Sequence, residues 1–174
     1  AYIDGSPGKE DPAPLRDLVL NELVAHTDLS DTNYPNHDSN DAIEIFNTTS
    51  ESFSLDDWYL SDDADDLTRW AIPAALVIDA VGWIAFDEVT GFHNPMTDGF
   101  GLNKAGEQVF LSHLPGGGED RVADAVRFKG QENGAALGRY PDGANHWYAL
   151  APSLTTSNPP PEARVVIQEL MLHP

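Results

Sequence analysis

The sequence predicts an all-β protein folded as an antiparallel β-sandwich. Three observations carry that prediction. Short apolar runs alternate with polar residues at period two, which is the signature of half-buried strands. No stretch sustains the 3.6-residue periodicity of a long helix. Thirteen prolines and fourteen glycines among 174 residues punctuate the chain at turn-like spacings.

Taken in order, residues 1–17 are loop-like, with Gly5, Pro7, Gly8, Pro12 and Pro14 spread through them, and read as a linker or the tail of a preceding module. Leu18 to Ala25 (LVLNELVA) is the first strong strand, and its alternation slips at Asn21-Glu22, a β-bulge or edge signal. His26 to Asn40 is polar loop. Asp41 to Asp63 organises the rest: Ile43 and Ile45 face one way, Glu44 and Phe46 the other. Asn47 to Ser52 then reverses the chain towards Trp58-Tyr59-Leu60, so the stretch reads as a central hairpin, with Phe53 and Leu55 pinning its loop to a core.

Ser61 to Asp66 is an acidic turn. Thr68, Trp70 and Ile72 alternate until Pro73 stops them, and Gly82 to Phe86 offers Ile84 and Phe86 to the interior. Thr90 to Gly101 reads as loop. Gln108 to Ser112 and Val122 to Phe128 are strands around the glycine run Gly116 to Gly118, with Asp124 expected at an exposed edge. Ala136 to Tyr140 is a weaker strand. These elements place one sandwich at residues 18–150. Residues 151–164, with Pro152, Pro159, Pro160 and Pro161, read as a proline-rich linker. Residues 165–174 form a terminal strand whose VVIQELMLH aligns without a gap on LVLNELVAH of the first strand, as the first strand of a following repeat would. That segment is apolar enough to require pairing, either on an edge of its own sandwich or as a strand swapped with a second copy.

Charge bounds the partners. Nine Lys and Arg face 29 Asp and Glu, for a net charge of −20. Such a field repels nucleic acid and anionic membrane surfaces. No apolar run approaches the roughly 18 residues of a membrane helix, so no membrane insertion is expected. The absence of cysteine removes disulfides, thiolate metal sites and a cysteine nucleophile together.

The acidic clusters are the chemical signal that remains. Calcium takes six to eight oxygens from carboxylates, amides and carbonyls on flexible loops. Asp38 and Asp41 before the central stretch, and Asp62 and Asp63 after it, are the candidate calcium ligands, although the match to an EF-hand loop is poor: Leu67 and Thr68 stand where the next acid and the glycine belong. Glu22 and Glu44, on strands that can be neighbours, raise paired-carboxylate hydrolysis. That chemistry needs a cleft and one raised pKa, and solvent-facing strand positions are the expected role for both. The six histidines form no HExxH and no pair at strand spacing, and Gly116 to Gly118 run into Glu119 and Asp120, which repel phosphate. Trp58 and Trp70 read as core. Tyr59, Trp83, Phe92, Trp147 and Tyr148 are candidates for an exposed strip that stacks on sugar rings, with core and loop packing the expected use.

NELVAH, AIEIFNTTSESFSLDDWYLSD and WAIP, followed by GWIAFDE, GFGLNKAGEQVFL and DAVRFKGQENGAALGRYPDG, in that order, resemble the lamin-tail domain of exported and surface-anchored bacterial proteins over Leu18 to Leu150. The resemblance implies an immunoglobulin-like sandwich without catalytic residues. It also implies a secreted or cell-surface bacterial setting and partners among neighbouring domains of the same polypeptide, proteins or polysaccharides. The expected function is therefore a non-catalytic structural or interaction module, the alternative being a calcium-dependent carbohydrate-binding or adhesion module.

Overall fold

The computed structural model describes residues 8, 15–25, 41–93 and 99–162. Among these described residues eleven strands follow one another: β1 (Leu18–Val24), β2 (Ala42–Asn47), β3 (Phe53–Ser54), β4 (Trp58–Ser61), β5 (Trp70–Ala71), β6 (Val77–Ile78), β7 (Trp83–Asp87), β8 (Gln108–His113), β9 (Arg121–Arg127), β10 (Ala136–Arg139) and β11 (Trp147–Leu150). Five of them form one sheet in the order β11-β10-β1-β2-β7. Four form the other in the order β5-β4-β8-β9, and β3 pairs with β6 in a small third ladder. Every pairing is antiparallel, and the packed sheets make the antiparallel β-sandwich that the sequence predicts.

The core lies between the sheets. Leu18, Leu20, Leu23, Ile43 and Ile45 enter it from the larger sheet, and Trp58, Leu60, Val109 and Leu111 from the smaller, all at 2 % exposure or less. Burying each such side chain stabilises the fold by about 1.5–3 kcal/mol. The slip at Asn21-Glu22 is a real irregularity: the register between β1 and β2 shifts between Leu20 and Glu22. By taking up one residue there, the bulge keeps both Leu20 and Leu23 in the core.

The central stretch is not a hairpin. β2 pairs with β1 and β7, whereas β4 pairs with β5 and β8 in the opposite sheet. The segment between them carries the chain across the sandwich. Asn47 holds the crossing open by donating from Nδ2 to the carbonyls of Glu51 and Asp79, at 2.8 and 2.9 Å. Leu55 is fully buried beneath it, and the Phe53 ring sits edge-on to Trp58. Overlapping the start of the expected loop at Thr90 to Gly101, a π-helical turn spans Glu88–Phe92, capped by Asp87, whose Oδ1 accepts from Thr90 N at 2.8 Å.

The larger correction concerns the outer face of the five-stranded sheet. Residues 151–164 read as linker, yet the described part of that segment packs on the sheet, and Asn158 is 3 % exposed. Leu154 contacts Val24, Ala42 and Ala136 on the sheet's outer side. Gly138 leaves room for the segment: a Cβ there would lie 2.9 Å from Asn158 Nδ2 and from Leu150 Cδ1, so those side chains would have to shift. The terminal strand expected at 165–174, with its pairing or swapping, lies outside the described residues.

Candidate functional site

The cross-strand pair Glu22 and Glu44 shows what the cover does. The two are register partners on β1 and β2, both on the outer face, and both are fully buried. They do not face solvent, as their polar character suggested. Residues 151–158 lie over them. Glu22 accepts from Ser153 N through Oε1 and lies 2.9 Å from Ser153 Oγ through Oε2. Glu44 accepts from Asn21 Nδ2 at 2.8 Å and from Thr155 N. Asp142 joins the cluster through Asn21 Nδ2, Asn158 N and Ser157 Oγ.

Burial in this setting pushes both glutamates up, the hydrogen bonds from Ser153 and from Asn21 and Thr155 partly offsetting it. Glu44 reaches about 7. The hydrogen-bond geometry agrees for Glu22. Ser153 Oγ has two acceptor neighbours, Glu22 Oε2 at 2.9 Å and Asn158 Oδ1 at 2.7 Å, but only one proton to give. The Asn158 amide is oriented by its Nδ2, which donates to the Arg139 carbonyl at 2.9 Å, so its Oδ1 must accept. Ser153 Oγ therefore shares its one proton between Glu22 Oε2 and Asn158 Oδ1, so it offsets the effect of burial on Glu22 less than a dedicated donor would. The pair thus has one attribute of a catalytic dyad, a raised pKa, and lacks the other, an opening.

The candidate calcium ligands fall in different places. Asp38 lies outside the described residues. Asp62 and Asp63 share Arg69, whose Nη1 is 3.0 Å from Asp62 Oδ1 and 3.9 Å from Asp63 Oδ2. Asp63 also accepts from Asp65 N at 2.9 Å. Asp41 is 3 % exposed and accepts from Leu102 N. Its Oδ2, His93 Nδ1 and Glu88 Oε2 all approach the backbone at Gly101, where a Cβ would lie 3.3–3.5 Å from each. Glu107 links the two regions: burial raises its pKa first, and the charges of Asp62 and then Asp41 raise it further. Among the described residues no three His, Asp or Glu side chains are grouped to hold a metal ion.

An open site lies where the smaller sheet ends. The first half of β9 is tied to β1. Asp124, expected at an exposed edge, instead turns inward and accepts from Leu20 N at 2.9 Å and from Arg139 Nη2 at 2.8 Å, while Arg139 Nε donates to the Leu20 carbonyl at 2.6 Å. The second half of β9 leaves a groove of about 480 Å³ between itself and β10–β11. Val126, Phe128, Leu137, Trp147 and Ala149 give it apolar walls, and Arg127, Lys129, Gln131 and one acid, Glu132, stand around it. One face of Trp147 is occupied by the Arg139 guanidinium, 4.5 Å from the ring centroid. Gln131 accepts from Ala25 N through Oε1 at 3.0 Å, and its buried Nε2 has no partner among the described residues.

Sequence reading named Trp147 as an aromatic without a clear place and gave the groove no other member. Arg127 and Lys129 carry the signal that was available: exposed cations two residues apart, at the end of β9 and just past it, in a chain with very few cations.

Compared with protein-family models, with curated proteins and with solved structures, the chain matches none.

Proposed function

We propose that this chain is a non-catalytic interaction module of a larger secreted or cell-surface protein, in keeping with its resemblance to lamin-tail domains, and that the groove beside β9 is its contact site. One observation carries the reading. The only acids with the pairing and raised pKa of a hydrolytic dyad, among the described residues, are spent on holding residues 151–158 against the sheet. Substrate would have to displace that segment to reach them. The groove, by contrast, is open, largely apolar and bordered by two cations and one carboxylate, the features of a binding surface.

The test is a turnover screen of the whole chain against chromogenic glycosides, esters and peptides, run beside Glu22→Gln and Glu44→Gln. We expect no turnover that depends on either residue. A hydrolysis rate that collapses in either variant while the folded signal persists would overturn the reading.

A further inference from the structure

Resting on the interaction-module reading, we propose that the groove binds an extended acidic peptide segment of a partner protein, which adds as a strand to the open half of β9. Backbone geometry is the first ground. Phe128 N donates to the Glu107 carbonyl at 2.8 Å, and the register places Arg127 opposite Gln108. Antiparallel pairs alternate between bonded and non-bonded, so Phe128 is in a bonded pair and Arg127 is not. The N–H and C=O of Arg127 therefore point away from β8, over the groove, with no partner among the described residues. That is the donor–acceptor pair an added strand requires.

Charge is the second ground. Among the described residues, Arg69 and Arg139 are paired with aspartates, Arg16 and Lys104 with asparagine oxygens, and Arg121 bonds a backbone carbonyl. Among the described residues, Arg127 and Lys129 have no ion pair and no side-chain hydrogen bond, in a chain that carries 29 acids. Two unneutralised cations on one edge, in a molecule of net charge −20, are complementary to a carboxylate brought from outside.

The two grounds together specify a pattern. Residues of an added strand opposite Arg127 and Lys129 share their outward face, and the residue between them points inward beside Phe128, into the apolar groove. The recognised segment therefore reads acid, apolar, acid. A sugar chain is the poorer fit, because it lacks the strand-spaced main-chain donor and acceptor and because Arg139 already covers one face of Trp147.

The experiment is fluorescence anisotropy of the whole chain with a labelled decapeptide alternating Glu and Val, its Lys-for-Glu counterpart, and a labelled oligogalacturonate. The acidic peptide is expected to bind and the basic one not to. Arg127→Glu combined with Lys129→Glu should weaken binding roughly 10- to 100-fold, the scale of one or two charge-assisted hydrogen bonds. Arg127→Pro removes the backbone donor at an edge position that tolerates proline, and should bind more weakly than Arg127→Ala. Ala149→Trp, which fills the groove from an exposed strand position, should also abolish binding and keeps the test intact if the proline variant does not fold. Equal affinity for both peptides, binding unchanged in the double-charge variant, or oligogalacturonate bound at the groove in place of peptide would each overturn the proposal. None of these results depends on Glu22 or Glu44, so the turnover screen is judged separately.

Discussion

Glu44 is a strand residue whose neighbours on both sides, Ile43 and Ile45, are fully buried, and it is fully buried too. A carboxyl in that position makes stability depend on pH in a definite direction. Its folded pKa, about 7, lies above the ordinary glutamate value of 4.5. Between those values the folded state holds the proton more tightly than the unfolded state does, so stability is greatest below about 4.5 and falls as pH rises to about 7. The size of this contribution is on the order of 3 kcal/mol. Glu22 and Glu107, both raised by burial, act in the same direction, whereas Asp56, Asp66 and Asp87 are lowered by their hydrogen bonds and act only at more acid pH. Urea unfolding between pH 4.5 and 8 in high salt should show this decline, and Glu44→Gln should flatten it. An unchanged slope in the variant would assign the pH dependence elsewhere. At this scale the residue's identity was legible and its setting was not: AIEIF announces that Glu44 lies opposite the core face, but period-two alternation cannot show that the opposite face is covered as well.

At the scale of elements, the bulge in β1 and the open end of β9 are two parts of one arrangement. The bulge puts β10 in register with Glu22 and Leu23 but not with Leu20, whose backbone N–H and C=O then face β9. Asp124 and Arg139 supply the missing partners, and Arg139 also donates to the Ala144 carbonyl and covers Trp147. The pair is nearly enclosed, with side-chain exposures of 6 % and 16 %. Removing one member of such a pair leaves an uncompensated charge, so Arg139→Ala should cost about 3–5 kcal/mol in urea unfolding and loosen β10–β11 from β1. A loss below about 1 kcal/mol would show that water replaces the guanidinium. Much of this level was readable in the sequence. The slip at Asn21-Glu22, the strands carrying Val109, Leu111 and Val126, and the anchoring by Leu55 are all where the alternation put them. Sheet membership was not, since β2 and β4 have the same alternating pattern whether they pair with each other or lie in facing sheets. Nor was the role of residues 151–158: Ser, Thr, Asn and Pro are the composition of a linker and also of a segment whose hydroxyls, amides and backbone N–H groups satisfy buried carboxylates.

For the whole molecule, the net charge of −20 acts on stability before it acts on any ligand. Self-repulsion among surface carboxylates is screened over roughly 8 Å at physiological ionic strength, so added sodium chloride should raise the melting temperature steadily. Calcium has a further effect only if several oxygens converge on it. The described acids are largely committed: Asp62 and Asp63 to Arg69, Asp66 to Thr68 through both its N–H and its hydroxyl, Asp87 to Thr90, and Asp41 to Leu102 N. Coordination at Asp62 or Asp63 would have to compete with the guanidinium already there. Magnesium has the same charge and demands a tighter octahedral shell, so it separates general screening from a calcium-shaped site. Melting curves in equal concentrations of calcium and magnesium chloride, each at constant ionic strength, should coincide, and EDTA should shift neither the midpoint nor the width. A rise specific to calcium that survives Asp62→Asn but disappears in Asp38→Asn would instead put the cation at the acidic residues that precede β2 in sequence, and would make the calcium-dependent adhesion module the better account of this chain.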